Sequence, residues 1–285
     1  KTAKSKRLKL CNTACVRKAL GVLLCRSQAD HPAASSEHDK RDGQAENLLL
    51  CKQCISGSSG RSPERRWPIF ASLTNSFSVE QKRVDVFESA APNKPVIYLN
   101  TYGREGAQIF QYLTDIGCQD FSLVAVSKLE WNHDMVPWDI PPIFKNGASY
   151  TSGADEYLRL LINQIIPKAE SLLQGTPAWR GIAGYSLAGL FALYSIYQTD
   201  TFSRVASVSG SLWFPGIKEY VVSRTPVKKP ADIFFSLGDR ECRTQNSLLR
   251  CVQQNTESIE RYYHEQGIDT TFQLNPGNHF KDVVQ

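Results

Sequence analysis

From Phe77 onward the chain alternates between short, continuous apolar runs and longer segments with apolar positions at helical spacing. The segment from Arg83 to Glu88 alternates, with Val84 and Val86 on one side. The runs from Pro95 to Leu99, Ser122 to Val126, Gly181 to Gly184, Val205 to Val208 and Ile233 to Leu237 read as buried strands, and Thr270 to Leu274 as a last one. Helical spacing runs from Gly106 to Ile116, Ala154 to Leu173, Leu187 to Tyr197 and Ser247 to Gln266, with Gly175 and Gly267 as stops after two of them. Strands alternating with helices predict an α/β fold, a mostly parallel central sheet with helices on both faces.

Residues 1–76 lack such a period and contain Ser/Gly/Arg-rich patches, such as Ser56 to Pro63. They read as a poorly ordered leader outside the fold, which leaves 77–285 as one domain. The sole methionine is Met135, so the chain reads as a fragment or as carrying sequence upstream of its natural start.

Composition sharpens this division. With 285 residues, 41% hydrophobic and 21% charged, the chain is long enough and apolar enough for a full core. The formal charge is +5, yet the leader alone holds 14 of the 33 basic residues and 6 of the 28 acidic ones, so the domain is net acidic. No basic stripe remains there to neutralise phosphates, which argues against a nucleic-acid partner. The longest apolar run, Ala19 to Cys25, falls far short of the roughly 20 residues of a membrane helix. Arg26 ends it without a clear cleavage site, so neither a membrane partner nor a signal peptide is expected. Five of the eight cysteines (Cys11, Cys15, Cys25, Cys51, Cys54) lie in the leader, and the domain keeps only Cys118, Cys242 and Cys251. An odd, sparse set fits reduced thiols in a cytoplasmic protein. The two leader pairs, Cys11 with Cys15 and Cys51 with Cys54, stand too far apart for the usual zinc spacing, so no metal or other cofactor is expected.

The candidate chemistry centres on Gly184-Tyr185-Ser186-Leu187-Ala188-Gly189, a serine between small residues at a strand-to-helix turn. A hydroxyl becomes a useful nucleophile only when the backbone presents it to a base, and such a turn does that. A plain serine N-cap is the bland alternative. In an α/β sheet the partner groups lie in turns at the carboxyl ends of later strands. His279 follows the last predicted strand in a turn-rich segment and is the candidate general base. Gly238-Asp239-Arg240-Glu241 offers two acids, of which Glu241 is preferred and Asp239 is the alternative. The Leu187 amide, with that of Thr101 or Tyr102 after the strand ending at Leu99, would form the oxyanion hole. Trp131, His133, Trp138 and Trp213 are the candidate walls of a pocket for a small-molecule ester.

Taken together, the serine turn, Ser209-Gly210-Ser211-Leu212-Trp213, Gly238-Asp239-Arg240-Glu241 and Gly277-Asn278-His279-Phe280 resemble the "putative esterase" family of α/β-hydrolases. That group includes esterase D-like, feruloyl and trilactone-siderophore esterases. The resemblance runs from about Phe77 to the end of the chain. It implies ester hydrolysis through an acyl-enzyme, with Ser186 as nucleophile, His279 as base and Glu241 or Asp239 as the acid. Some siderophore-cleaving relatives manage with serine and histidine alone. Two departures stand out: the leader has no counterpart, and the chain stops six residues after His279, where the fold normally adds a closing helix. An acyltransferase or serine peptidase would use the same three groups, and a hydrolase-like binding protein would keep the fold with Ser186 as a cap only.

Overall fold

The structure, a computed structural model, describes residues 75–282 together with 16, 17, 19–22 and 24. Eight strands form one sheet: β1 (Asn75–Val79), β2 (Lys82–Phe87), β3 (Val96–Asn100), β4 (Ser122–Ser127), β5 (Arg180–Tyr185), β6 (Arg204–Val208), β7 (Asp232–Gly238) and β8 (Asp269–Asn275). Their spatial order is β1-β2-β4-β3-β5-β6-β7-β8. The first two strands run antiparallel, and all pairings from β4 onward are parallel. The short β9 (Gly277–Asn278) and β10 (Lys281–Asp282) form a separate hairpin.

Helix α1 (Gly106–Asp115) connects β3 to β4, and the one-turn α2 (Trp131–Asp134) follows β4. Helix α3 begins at Ala154–Leu160, widens into a π-turn at Leu161–Ile165 and ends with Ile166–Glu170. Helix α4 (Leu187–Ser195) follows β5, α5 (Ile217–Val222) follows β6, and α6 (Ser247–Arg250) with α7 (Val252–Glu265) lead into β8. The expected helix from Ser247 to Gln266 is therefore broken at Cys251.

Alternation along the strands divides the core between the two faces. On β3, Val96 and Tyr98 face the layer that contains α3, α4, α5 and α7, whereas Ile97 and Leu99 face the layer of α1. The β3 strand is the switch point of the winding, because β4 lies on one side of it and β5 on the other. The pairing of Asn100 with Gly184 brings the ends of β3 and β5 side by side. A crevice at such a reversal is where open α/β sheets carry their ligands.

One part of the leader departs from expectation. Val16, Ala19, Leu20, Val22 and Leu24 are helical and buried, and they share the α1-side core with Phe87, Ile109 and Leu113. The Arg17 guanidinium lies 4.5 Å over the Tyr112 ring and donates to the Gln108 carbonyl of α1. Val16, Leu20 and Leu24 recur every fourth residue, a stripe too short to register as a sustained helical period. The leader cysteines and the Ser56 to Pro63 patch lie outside the described residues.

Candidate active site

Ser186 occupies the sharp turn between β5 and α4, with φ +61° and ψ −123°. A side-chain-bearing residue adopts this conformation only under constraint. Here the Ser186 amide is fixed to the Val208 carbonyl at 3.0 Å, and its own carbonyl accepts from the amides of Gly189, Leu190 and Ser211. The turn also requires a bare backbone before it, since a Cβ on Gly184 would lie 2.4 Å from the backbone of Ala188. Ala188 itself fits where a glycine is usual, its methyl group lying against Gly184.

His279 lies in the turn between β9 and β10. Its Nε2 is 3.0 Å from Ser186 Oγ, and its Nδ1 is 2.7 Å from Glu241 Oε2. The other Glu241 oxygen accepts from the Gly238 amide at 2.7 Å and from the Ser209 hydroxyl at 2.8 Å. The Glu241 side chain is only 4% exposed against 23% for His279, so the carboxylate is screened from water while the imidazole faces the crevice. Burial raises the Glu241 pKa, but the hydrogen bond and charge of His279, with the Gly238 and Ser209 donors, outweigh it and hold the carboxyl below its ordinary range.

Asp239, the alternative acid, is engaged elsewhere. Its Oδ1 accepts from the Gly277 amide at 2.8 Å, and the carboxylate pairs at the surface with Arg240. Asp239 thus ties the β7 turn to the hairpin that carries His279. The Tyr185 hydroxyl donates to the His279 carbonyl, and the two rings lie 5.0 Å apart.

The expected oxyanion donors fare differently. The Leu187 amide opens α4 directly after the serine. The Thr101 amide is committed to the Val126 carbonyl at 2.8 Å, because it continues the β3–β4 ladder by one residue, and this removes it as a donor. Tyr102 is the first residue beyond the ladder, and its amide has no partner among the described residues.

A cavity of about 180 Å³ opens beside Ser186 and His279. Trp131 and Trp213 line it, joined by Ile143, Phe144, Leu249 and Val252, for which the sequence carries no local signal. His133 and Trp138 do not. Two residues along a one-turn helix point in opposite directions, so while Trp131 faces the cavity, His133 meets Thr151 and a separate polar hollow with Lys82 and Asp134. Trp138 packs on Phe214 and Tyr220 and donates its indole N–H to the Pro215 carbonyl. Among the described residues there is no group of three His, Cys, Asp or Glu side chains able to hold a metal ion, and no helix long and apolar enough to cross a membrane.

The sheet order and the serine at the β5–α4 turn define the α/β-hydrolase class. Residues 99–279 match the family described as "Putative esterase", and the chain belongs to that family. It is accordingly a carboxylic ester hydrolase. In sequence it is 24% identical to the uncharacterized protein YbbA of Bacillus subtilis (strain 168) over 177 residues, which span 58% of this chain and 71% of that one. Among solved structures it is similar to an IroE-like serine hydrolase from Shewanella oneidensis, with a TM-score of 0.57 and 16% identity over 72% of this chain and 74% of that chain. The siderophore hydrolase EstB from Aspergillus nidulans superposes with a TM-score of 0.56 and 16% identity, covering 75% of this chain and 92% of its own.

Proposed function

We propose that the chain cleaves small-molecule carboxylic esters through an acyl-enzyme on Ser186, with His279 as general base and Glu241 as the carboxylate that orients it. The observation that carries this reading is the continuous line of contacts from Ser186 Oγ through the imidazole to Glu241 Oε2. As Oγ attacks the ester carbonyl carbon, its proton passes to Nε2 and the carbonyl electron pair moves onto oxygen. The Leu187 and Tyr102 amides are the proposed donors to that oxyanion, one from each side of the β3–β5 crevice. Collapse of the tetrahedral intermediate breaks the bond to the alkoxy oxygen, which takes the proton from Nε2 and departs as an alcohol. Water then gives a proton to Nε2, attacks the acyl carbon and releases the acid, and Ser186 recovers its proton. Glu241 remains ionised throughout and stabilises the transient imidazolium.

Siderophore hydrolysis, named for EstB, places such esters in a first substrate panel beside simple aryl and alkyl esters. The reading is tested with a fluorophosphonate probe and turnover measurements. Wild type is expected to be labelled and Ser186→Ala not, and His279→Ala should lower kcat by at least about 10³-fold. Labelling that survives Ser186→Ala, or near-normal turnover without His279, would overturn it.

A further inference from the structure

The cavity beside Ser186 is small, apolar and one-sided in its charge. Apart from the hydroxyls of Ser186, Ser209 and Ser211, and from His279, its walls are Trp131, Ile143, Phe144, Trp213, Leu249 and Val252, with Phe280 at its edge. Among the described residues no lysine or arginine lines it, and its one charged side chain is Glu241. The volume of about 180 Å³ sets a scale, because a dry apolar cavity of about 150 Å³ holds one benzene ring. Of these walls Phe144 is 56% exposed and Phe280 54%, and Tyr102, which stands edge-on to Trp131, is 55% exposed.

Resting on the serine-hydrolase reading above, we propose that this site selects esters whose acyl part is neutral, apolar and about the size of one ring, and discriminates against acyl parts that carry a negative charge. An acyl carboxylate drawn into the cavity would lose part of its water without gaining a cation, and it would stand on the same largely apolar lining as Glu241. Both effects oppose binding, and neither touches an uncharged ring. The leaving alcohol is placed across the exposed aromatic edge of Tyr102, Phe144 and Phe280, where bulk is tolerated because the site is open. Phe144, which both lines the cavity and faces solvent, is the specificity-determining position in this scheme.

The test compares 4-methylumbelliferyl 4-nitrobenzoate with 4-methylumbelliferyl 4-carboxybenzoate, since nitro and carboxylate groups share a shape and differ in charge. Each kcat/KM is divided by the ester's own alkaline hydrolysis rate, which removes the difference in electronic activation. Wild type is expected to favour the nitro ester on the order of 100-fold. Phe144→Arg, a change at an exposed position, should narrow that ratio by at least about tenfold by supplying the missing cation, and Leu249→Lys should do the same from another part of the wall. A wild-type ratio within about threefold of unity, a preference for the carboxylate, or a ratio unmoved by both variants would overturn the proposal. Fluorophosphonate labelling of Ser186 is measured on the same samples. Labelled protein that ignores charge removes this inference alone, whereas protein that takes no label removes the serine-hydrolase reading beneath it.

Discussion

Glu241 divides its carboxylate between two tasks relative to His279: Oε2 meets Nδ1 at 2.7 Å, while Oε1 is tied to the Gly238 amide and the Ser209 hydroxyl. The oxygen facing the imidazole therefore has its direction set by the oxygen facing away. Asp239, two residues earlier, has no such relation to the ring and binds the Gly277 amide instead.

This difference separates the two acids by mutation. Glu241→Gln is expected to lower kcat by about 10³–10⁴-fold, because an amide can stabilise the wrong tautomer and cannot balance the imidazolium. Asp239→Ala should leave kcat within about tenfold and reduce stability by about 1 kcal/mol through the lost turn bond. Steady-state kinetics with a chromogenic ester and urea unfolding of both variants would check the pair. The reverse ranking would make Asp239 the acid.

The same carboxylate links acidity to stability. Its pKa is depressed in the folded state by its hydrogen bonds and by His279, against the opposing effect of burial, so on acidification the unfolded chain takes up the proton first. Its contribution is complete above the ordinary glutamate value of about 4.3 and is lost as the pH falls through the lower folded-state value. Unfolding free energy measured from pH 6 downward should therefore fall more steeply below about pH 4.3 in wild type than in Glu241→Gln. Parallel curves would show that the site carries no such linkage.

At the serine turn, geometry and chemistry are opposed. Ser186 holds φ +61°, which glycine adopts without strain. Ser186→Gly is expected to stabilise the fold by about 1 kcal/mol, raising Tm by about 2–4 °C, while abolishing turnover. A thermal melt beside an activity assay tests this, and a lowered Tm would count against strain at the turn.

The buried leader residues extend the folded unit upstream of β1. Leu20 is fully buried in the α1-side core, so Leu20→Ala should destabilise by about 2–5 kcal/mol. Chemical denaturation of the whole chain measures it directly. An unchanged midpoint would mean that the packing of Leu20 contributes nothing to the stability of the domain.

Much of the fold was legible because strands β3 to β7 coincide with compact apolar runs, each closed by a turn residue, while β2 shows as an alternating segment. β1 was not, since Asn75–Val79 is a half-exposed edge strand in which only Phe77 and Val79 are hydrophobic. α2 and α5, with four and six residues, are too short for a period to be visible. In the site, Ser186, His279 and the turn holding Glu241 stood out because each occupies a loop at a strand's carboxyl end. Ser209 escaped notice as a partner of Glu241, although it stands at the carboxyl end of β6. Its signal is its position one residue past the strand and before Gly210, within the segment that carries part of the family resemblance. The choice between the Thr101 and Tyr102 amides was not legible, because the length of a ladder is settled by the neighbouring strand, here by the Val126 carbonyl that takes the Thr101 amide, and not by the apolar run itself. The cavity walls Ile143 and Phe144 come from the loop between α2 and α3, and Leu249 from α6, and nothing local in the sequence connects the two segments.

The backbone at Ser186 has a further consequence for random substitution. A φ of +61° is free of strain for glycine alone, so most replacements there would lose the hydroxyl and keep the strain, while glycine would lose the hydroxyl and release it.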